Sequence, residues 1–166
     1  MKNTIMAALV ATVFGITAAN AEGLYVGVGG EYVQSTAKHA DSTAAGSVRV
    51  GTDINKFVAG ELNVNTAMAN GNQRANTSTT ANVLVGYPVD LATFKVKPYG
   101  VVGTGYDFAY IKHSDDIHTN PVYNYGAGVQ VDLAKNIALD VRYTRVEDYN
   151  SKAAANVFGL GVDYRF

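Results

Sequence analysis

The segment KHSDDIHTN, at 112–120, holds the densest group of side chains that could do chemistry. Its candidates are His113, Ser114, Asp115, Asp116 and His118. Histidine and aspartate can ligate a metal ion, and serine with histidine and aspartate can form a nucleophilic triad at a membrane surface. The two histidines, however, are five positions apart, a spacing specific to no metal, and a triad depends on geometry rather than nearness in sequence. We therefore predict a solvated loop, with a metal site and a catalytic site as alternatives.

A second group of charged side chains alternates with apolar residues in several parts of the chain. Its members are Glu31, Arg49, Glu61, Asp140, Arg142, Asp163 and Arg165. Both signs are present, so these side chains can pair if the fold brings them together. Glycine, valine and tyrosine dominate the surrounding segments, and their alternation has the period of a β-strand rather than a helix.

The chain begins with the features of a secretory signal peptide. Lys2 precedes an apolar run over 5–19, and the sequence ANA at 19–21 provides a small-x-small cleavage site. The run is too short for a membrane anchor, and polar residues interrupt it. We predict that residues 1–21 are a cleaved signal peptide and that residues 22–166 form one domain.

The composition excludes several classes of protein. The chain has 13 basic and 14 acidic side chains, a net charge of −1, so nothing favours nucleic acid as a partner. Cysteine is absent, so an exported domain must be stable without disulfides. No later segment stays apolar for about 18 residues, as a transmembrane helix would require. Membrane β-strands need only about 9–11 residues and are compatible with this chain.

Alternation with the period of a β-strand recurs eight times. The predicted strands cover 23–34, 45–53, 56–68, 78–88, 95–110, 121–132, 136–146 and 154–166. Short connections such as DINK and DLAKN follow the even-numbered strands, whereas longer polar connections follow the odd-numbered strands. A membrane-spanning barrel sorts its connections in this way. We predict an all-β fold, an eight-stranded antiparallel up-and-down transmembrane β-barrel of the outer-membrane type, with N- and C-termini in the periplasm.

The two faces of the predicted strands differ in chemistry. One face carries mainly valine, leucine and tyrosine, and the other carries glycine, asparagine and the seven charged residues named above. We expect the apolar face to contact membrane lipid and the charged face to line a narrow lumen. Charges of both signs in that space must pair or remain hydrated, so we predict a plug of ion pairs and water. The alternative is a soluble barrel, with the charged set as its solvated outer face.

One predicted strand, 95–110, breaks this pattern. Its apolar residues from position 102 onwards suit the outer face, whereas Tyr99 and Val101 have the opposite parity. We expect a β-bulge near Gly103 or Gly105 to restore the alternation.

The aromatic residues concentrate near the predicted strand ends, as in the two interfacial belts of a membrane barrel. The set assigned to the outer surface comprises Tyr32, Tyr106, Phe108, Tyr110, Tyr123 and Phe158. The set assigned to the inner surface comprises Tyr87, Phe94, Tyr99, Tyr164 and Phe166.

The ending GVDYRF and the segment YGVVGTGY at 99–106 resemble small eight-stranded outer-membrane barrels of the OmpX/Ail type, within the OmpA-like and opacity-protein group. The resemblance implies that the outer-membrane insertion machinery recognises the aromatic terminal strand. The implied assembly signal consists of Phe158, Leu160, Val162, Tyr164 and Phe166. The resemblance also implies a role in adhesion, host interaction, serum resistance or envelope integrity, carried by the outer loops.

We therefore expect an integral protein of the cell outer membrane with a structural or surface-interaction role, exerted through four outer loops on a host or surface ligand. We expect a monomer in contact with membrane lipid, without enzymatic activity or a cofactor. A small pore is an alternative of a different class. A lipid-modifying enzyme, supported only by the segment at 112–120, is another. A further alternative is an exported soluble ligand-binding barrel. Solubility without detergent would distinguish that protein from the three membrane-bound alternatives.

Overall fold

The computed structural model describes residues 23–36, 42–67, 76–91, 93–110, 117–151 and 153–166. Its strands are β1 (Leu24–Ser35), β2 (Thr43–Asp53), β3 (Val58–Ala67), β4 (Asn76–Gly86), β5 (Val89–Asp90), β6 (Lys95–Tyr110), β7 (Ile117–Ala134), β8 (Ile137–Asp148) and β9 (Ala154–Arg165). Eight strands are long and match the predicted ones, with ends that differ by up to four residues. In the described ranges, no helix is long and apolar enough to cross a membrane.

The eight long strands form one closed antiparallel barrel, which confirms the predicted fold. Long strands that follow one another in the chain pair side by side, and β1 also pairs with β9 along most of its length. The short β5 pairs only with β6, so β4 reaches past it to pair with β6 and completes the ring. Closure lets each strand pair its backbone on both sides, which a hydrocarbon environment requires because it offers no water.

Side chains alternate between the two faces of every long strand, as predicted. Outward residues include Val28 and Val102, whose exposed fractions are 59% and 63%. Inward residues include Asp140 and Asp163, which are fully buried. Apolar residues outside and charged residues inside are the reverse of a soluble barrel, and the outer surface is too widely apolar for contact with water.

Strand β6 alternates regularly throughout, so the bulge expected near Gly103 or Gly105 is wrong. Its pairing with β4 and β7 runs without a shift from end to end. Tyr99 and Val101 point into the barrel, where they are 5% and 1% exposed. The assignment of Tyr99 to the inner aromatic belt is therefore also wrong. An aromatic ring was expected to face lipid, but the Tyr99 hydroxyl has polar partners inside.

The two ends of the barrel carry different connections. We call the end with the short connections the turn end, and the opposite end the loop end. At the turn end, the side-chain oxygen of Asn55 accepts the amides of Phe57 and Val58 at 2.8 and 3.0 Å and so fixes the β2–β3 turn. At the β7–β8 turn, the pairing shifts register between Asp132 and Ala134.

Candidate functional site

Glycines give the large inward side chains room inside the barrel. Gly51 lies beside Tyr25, and Gly128 lies beside Tyr99. A Cβ atom at either glycine would overlap the tyrosine ring. Both rings can therefore lie across the lumen, with their hydroxyls among the charged groups, and an eight-stranded lumen is narrow enough for such side chains to fill.

The centre of the lumen holds a bidentate ion pair between β3 and β8. Arg142 Nη1 and Nη2 donate to the two carboxylate oxygens of Glu61 at 2.5 and 3.0 Å. The Tyr25 hydroxyl donates to Glu61 Oε2 at 3.0 Å, and Arg142 Nε donates to the Tyr99 hydroxyl oxygen at 2.9 Å. The side chain of Arg142 is 7% exposed and that of Glu61 is 0% exposed. Two parallel hydrogen bonds between a guanidinium and a carboxylate are strong and hold both groups in one orientation.

A second arginine, Arg49 of β2, connects this pair to acids on β8 and β9. Arg49 Nε donates to Asp163 Oδ1 at 2.6 Å, and its Nη1 lies 3.5 Å from Asp140 Oδ1. The same oxygen of Asp140 lies 3.4 Å from Arg142 Nε. The Tyr99 hydroxyl donates to the other oxygen of Asp140 at 2.7 Å. Asp140 therefore lies between the two arginines and links them.

Five of the seven predicted lumenal residues thus lie together, and we call them the central ion layer. They are Arg49, Glu61, Asp140, Arg142 and Asp163. The layer contains one more carboxylate than guanidinium, so neutral donors matter to it. Gln130 Nε2 donates to Asp163 at 3.3 Å, and Asn82 Nδ2 donates to Glu61 at 3.4 Å. Buried carboxylates need such partners because their unpaired charge would be costly in an interior with little water.

The other two predicted residues lie on opposite sides of the central ion layer. Arg165, near the turn end, donates to Asp132 Oδ1 at 2.9 Å and to Gln130 Oε1 at 3.1 Å. Because Gln130 also donates to Asp163, one amide joins Arg165 to the layer. Glu31 lies in the loop-end half, where it accepts from Asn65 Nδ2 at 3.0 Å.

The predicted set of lumenal network residues contained only charged side chains and left out the neutral members of this network. They are Tyr25, Asn82, Tyr99, Asn124 and Gln130. Asn124 donates to Asn82 at 3.0 Å and so extends the network to β7. The alternation in the sequence assigned Tyr25 and the three amides to the inward face, but it did not indicate that they bond to the charged residues. The sequence also showed that Tyr99 falls on the opposite face from the outward residues of its strand. We attributed this to a β-bulge, whereas the Tyr99 side chain in fact points inward.

The charged side chains of the central ion layer are paired with one another. Among the described residues, no group of three or more His, Cys, Asp or Glu side chains could hold a metal ion. His113, Ser114, Asp115 and Asp116 lie outside the described ranges. The backbone of His118 pairs with Ala109 on β6, but its side chain is not described.

The five residues of the implied assembly signal all point outward from β9 and its end. They are Phe158, Leu160, Val162, Tyr164 and Phe166, each 43–64% exposed. The ring of Phe158 lies 5.0 Å from that of Tyr143, and the rings of Tyr164 and Phe166 are 5.2 Å apart. The Phe166 amide donates to the Leu24 carbonyl at 3.0 Å, which extends the β1–β9 seam to the last residue.

Outward aromatic residues occur near both ends of the barrel. Towards the loop end they include Tyr32, Tyr106 and Phe158, and towards the turn end they include Phe57, Tyr87, Phe94, Tyr164 and Phe166. The rings of Phe57 and Tyr87 stack at 5.7 Å, with the Lys56 ammonium 4.8 Å from the Phe57 centroid. Such rings favour the two interfaces of a bilayer, where an apolar ring and a polar group are both accommodated.

The fold is shared by solved outer-membrane barrels of low sequence identity. Neisserial surface protein A is 15% identical with a TM-score of 0.69, and the match covers 87% of this chain and 98% of that one. Ail of Yersinia pestis, crystallised with the heparin analogue sucrose octasulfate, is 17% identical with a TM-score of 0.58 over 87% and 99%. The N-terminal barrel domain of Pseudomonas aeruginosa OprF is 14% identical with a TM-score of 0.57 over 84% and 97%.

No curated protein matches this sequence. The family model described as outer membrane protein beta-barrel domain matches residues 6–166, which include every described strand. The chain therefore belongs to the outer-membrane β-barrel domain family and lies in the outer membrane of the cell.

Proposed function

We propose that this protein is a sealed outer-membrane barrel that acts through its loop end rather than by conducting solutes. The observation that supports this function is the central ion layer, in which two arginines and three carboxylates span the lumen. The contacts join β2, β3, β8 and β9, and the tyrosine hydroxyls of β1 and β6 donate to Glu61 and Asp140 of the layer. An ion that crossed this layer would have to separate buried pairs, which is costly.

The proposed orientation puts the turn end and both termini in the periplasm. Cleavage after residue 21 would release the chain on the periplasmic side, close to the start of β1 at Leu24. An even number of long strands then returns Phe166 to the same side. The long connections consequently face the cell exterior.

Assembly is proposed to depend on the outward face of β9. Its aromatic and aliphatic side chains form one continuous stripe, from Phe158 to Phe166. Before the barrel closes, this stripe and the edges of β9 are free for recognition by the insertion machinery. After closure, the stripe faces lipid and β9 is paired with both β1 and β8.

The four loops are proposed to contact a host or surface ligand, with the barrel as a rigid monomeric base and no enzymatic step. Intact cells that display the protein should be incubated with immobilised matrix and serum proteins. We expect retention of these cells above that of cells lacking the protein.

Matched variants would locate the contact. Each of the four loops is replaced in turn by a glycine-serine linker of equal length, at 37–41, 68–75, 111–116 or 149–153, and surface amounts are equalised. At least one replacement should abolish retention, while the barrel keeps its heat-dependent gel mobility. Equal retention of cells with and without the protein would contradict the surface-interaction role.

A further inference from the structure

A cavity of about 450 Å³ opens at the loop end of the lumen, and all eight long strands contribute to its wall. We call it the vestibule. Its volume is in the range of about 300–1,000 Å³ that small-molecule sites occupy. Below the vestibule, next to Asn82 and Arg142 of the lumen, lies a second and much smaller cavity of about 20 Å³. In the part of the chain that the structure describes, the central ion layer closes the lumen below the vestibule, so we expect a ligand to enter from the loop end.

One half of the vestibule wall is apolar. It is formed by the neighbouring strands β8, β9, β1 and β2, whose order in the barrel is continuous. Their deeper inward residues are Val146, Val157, Ala155, Val33 and Ala45. The described polar residues that line this side, Ser35, Thr43 and Asp148, lie at strand ends, at the rim of the vestibule. Burial of a ligand's hydrocarbon surface against this half would favour binding.

The opposite half of the wall is polar and acidic. It is formed by β3, β4, β6 and β7, and its inward residues include Asn65, Asn76, Ser78, Asp107 and Asn120. In the sheet register, Asp107 lies between Ser78 on β4 and Asn120 on β7. This half also includes Ala67 and Val122, so the wall has one mainly aliphatic half and one half that carries most of the carboxylate, amide and hydroxyl groups.

The vestibule contains negative charge that no described cation neutralises. Asp148, at the rim of β8, lies close enough to Asp107 for their charges to interact. Asp148 Oδ1 accepts the amides of Asn150 and Ser151 at 2.6 and 3.0 Å. Among the described residues, no Lys, Arg or His lines the vestibule. Two carboxylates in a cavity with partly apolar walls create a negative potential that attracts cations.

From these features we infer that the vestibule binds an amphipathic organic cation from outside the cell: a compact aliphatic body with one ammonium group. The aliphatic body lies against the β8–β9–β1–β2 half, and the ammonium group lies near Asp107 and Asp148. A metal ion alone would leave the aliphatic half unused, and a neutral hydrocarbon would leave the carboxylates unpaired. The inference is independent of the proposed contact between the loops and a surface ligand.

The test uses the full mature barrel in nanodiscs of zwitterionic lipid and three probes with one cage: adamantylammonium, adamantanol and adamantane carboxylate. Saturable binding is measured by calorimetry and by saturation-transfer NMR. We expect adamantylammonium to bind at least about tenfold more tightly than either other probe, a difference equivalent to about 1.4 kcal/mol. No saturable binding of adamantylammonium, or equal affinity for all three probes, would overturn the inference without the need for any variant.

Variants then place the ammonium group. Asp107→Asn and Asp148→Asn together should weaken adamantylammonium binding about tenfold and leave adamantanol unchanged. The matched control is Asp90→Asn in β5 at the turn end, where the carboxylate is 76% exposed and paired with Lys95 at 3.5 Å. It should leave the affinity unchanged. Equal affinity in the double variant and the wild type would refute the assignment of these two carboxylates.

Discussion

Replacement of Arg142 by methionine should be among the most destabilising single changes in this barrel. Methionine keeps much of the arginine's length but removes the guanidinium that donates to Glu61 at 2.5 and 3.0 Å and to Tyr99 at 2.9 Å. The fully buried Glu61 carboxylate would then keep the Tyr25 hydroxyl and the Asn82 amide as hydrogen-bond partners, but no cation bonded to it. Removal of one partner of a buried ion pair costs about 3–5 kcal/mol, and we expect a loss of that size.

The loss can be measured by reversible unfolding in urea with the barrel in lipid bilayers, with tyrosine fluorescence and heat-dependent gel mobility as readouts. The matched control is Lys95→Met, which removes the cation of an ion pair with Asp90 whose side chains are 66% and 76% exposed. An exposed pair of this kind is worth about 0–1 kcal/mol.

A second substitution tests the cause of the loss. Glu61→Gln combined with Arg142→Met removes the unpaired charge while an amide still faces Tyr25 and Asn82. The double variant should therefore be more stable than Arg142→Met alone. If Arg142→Met costs no more than Lys95→Met, the central ion layer is hydrated rather than buried, and the reasoning is refuted.

Three further predictions concern the terminus, the loop cluster and the packing of the strands. Phe166→Ala should lower the amount of protein inserted in cells while refolding into detergent stays nearly intact; normal insertion with failed refolding would show that the ring is structural. Combined replacement by alanine of four candidate residues of the segment at 112–120 should leave assembly, metal content by mass spectrometry and lipid A composition unchanged. A change in any of these would support a metal or catalytic site in that segment. The replaced residues are His113, Asp115, Asp116 and His118. Gly105→Ala should cost about 1–3 kcal/mol in urea unfolding because its Cβ would overlap the Thr79 carbonyl, whereas Gly30→Ala, with open space around it, should cost much less; equal losses would contradict the packing.

The barrel was predictable because its physical requirements repeat along the whole chain. Each long strand must alternate between lipid and lumen, and short turns must lie at one end, so the same pattern recurs eight times. Details that depend on one residue were less predictable. Tyr99 was given the wrong face because a large ring usually marks the lipid side, and only the positions of Asp140 and Arg142 show why its hydroxyl lies inside.

The candidate site was predictable in its composition but not in its pairing. Parity assigned Arg142 and Glu61 to the same face, yet they are 81 positions apart, and the stagger of the strands decides that they meet. The same stagger separates Glu31 from the central ion layer and puts Arg165 beside Asp132. Sequence alternation gives the face of a residue but not its height along the barrel axis, so it could not distinguish these positions.

Single-channel recording in planar bilayers tests the central claim, a lumen sealed by the central ion layer, most directly. The purified mature barrel is incorporated at known density, and current is recorded at modest voltages in neutral salt, with a trimeric porin as the positive control. We expect no stable conductance steps from the wild-type barrel. Reproducible open channels from the wild-type barrel under these conditions would contradict the account and favour the small pore.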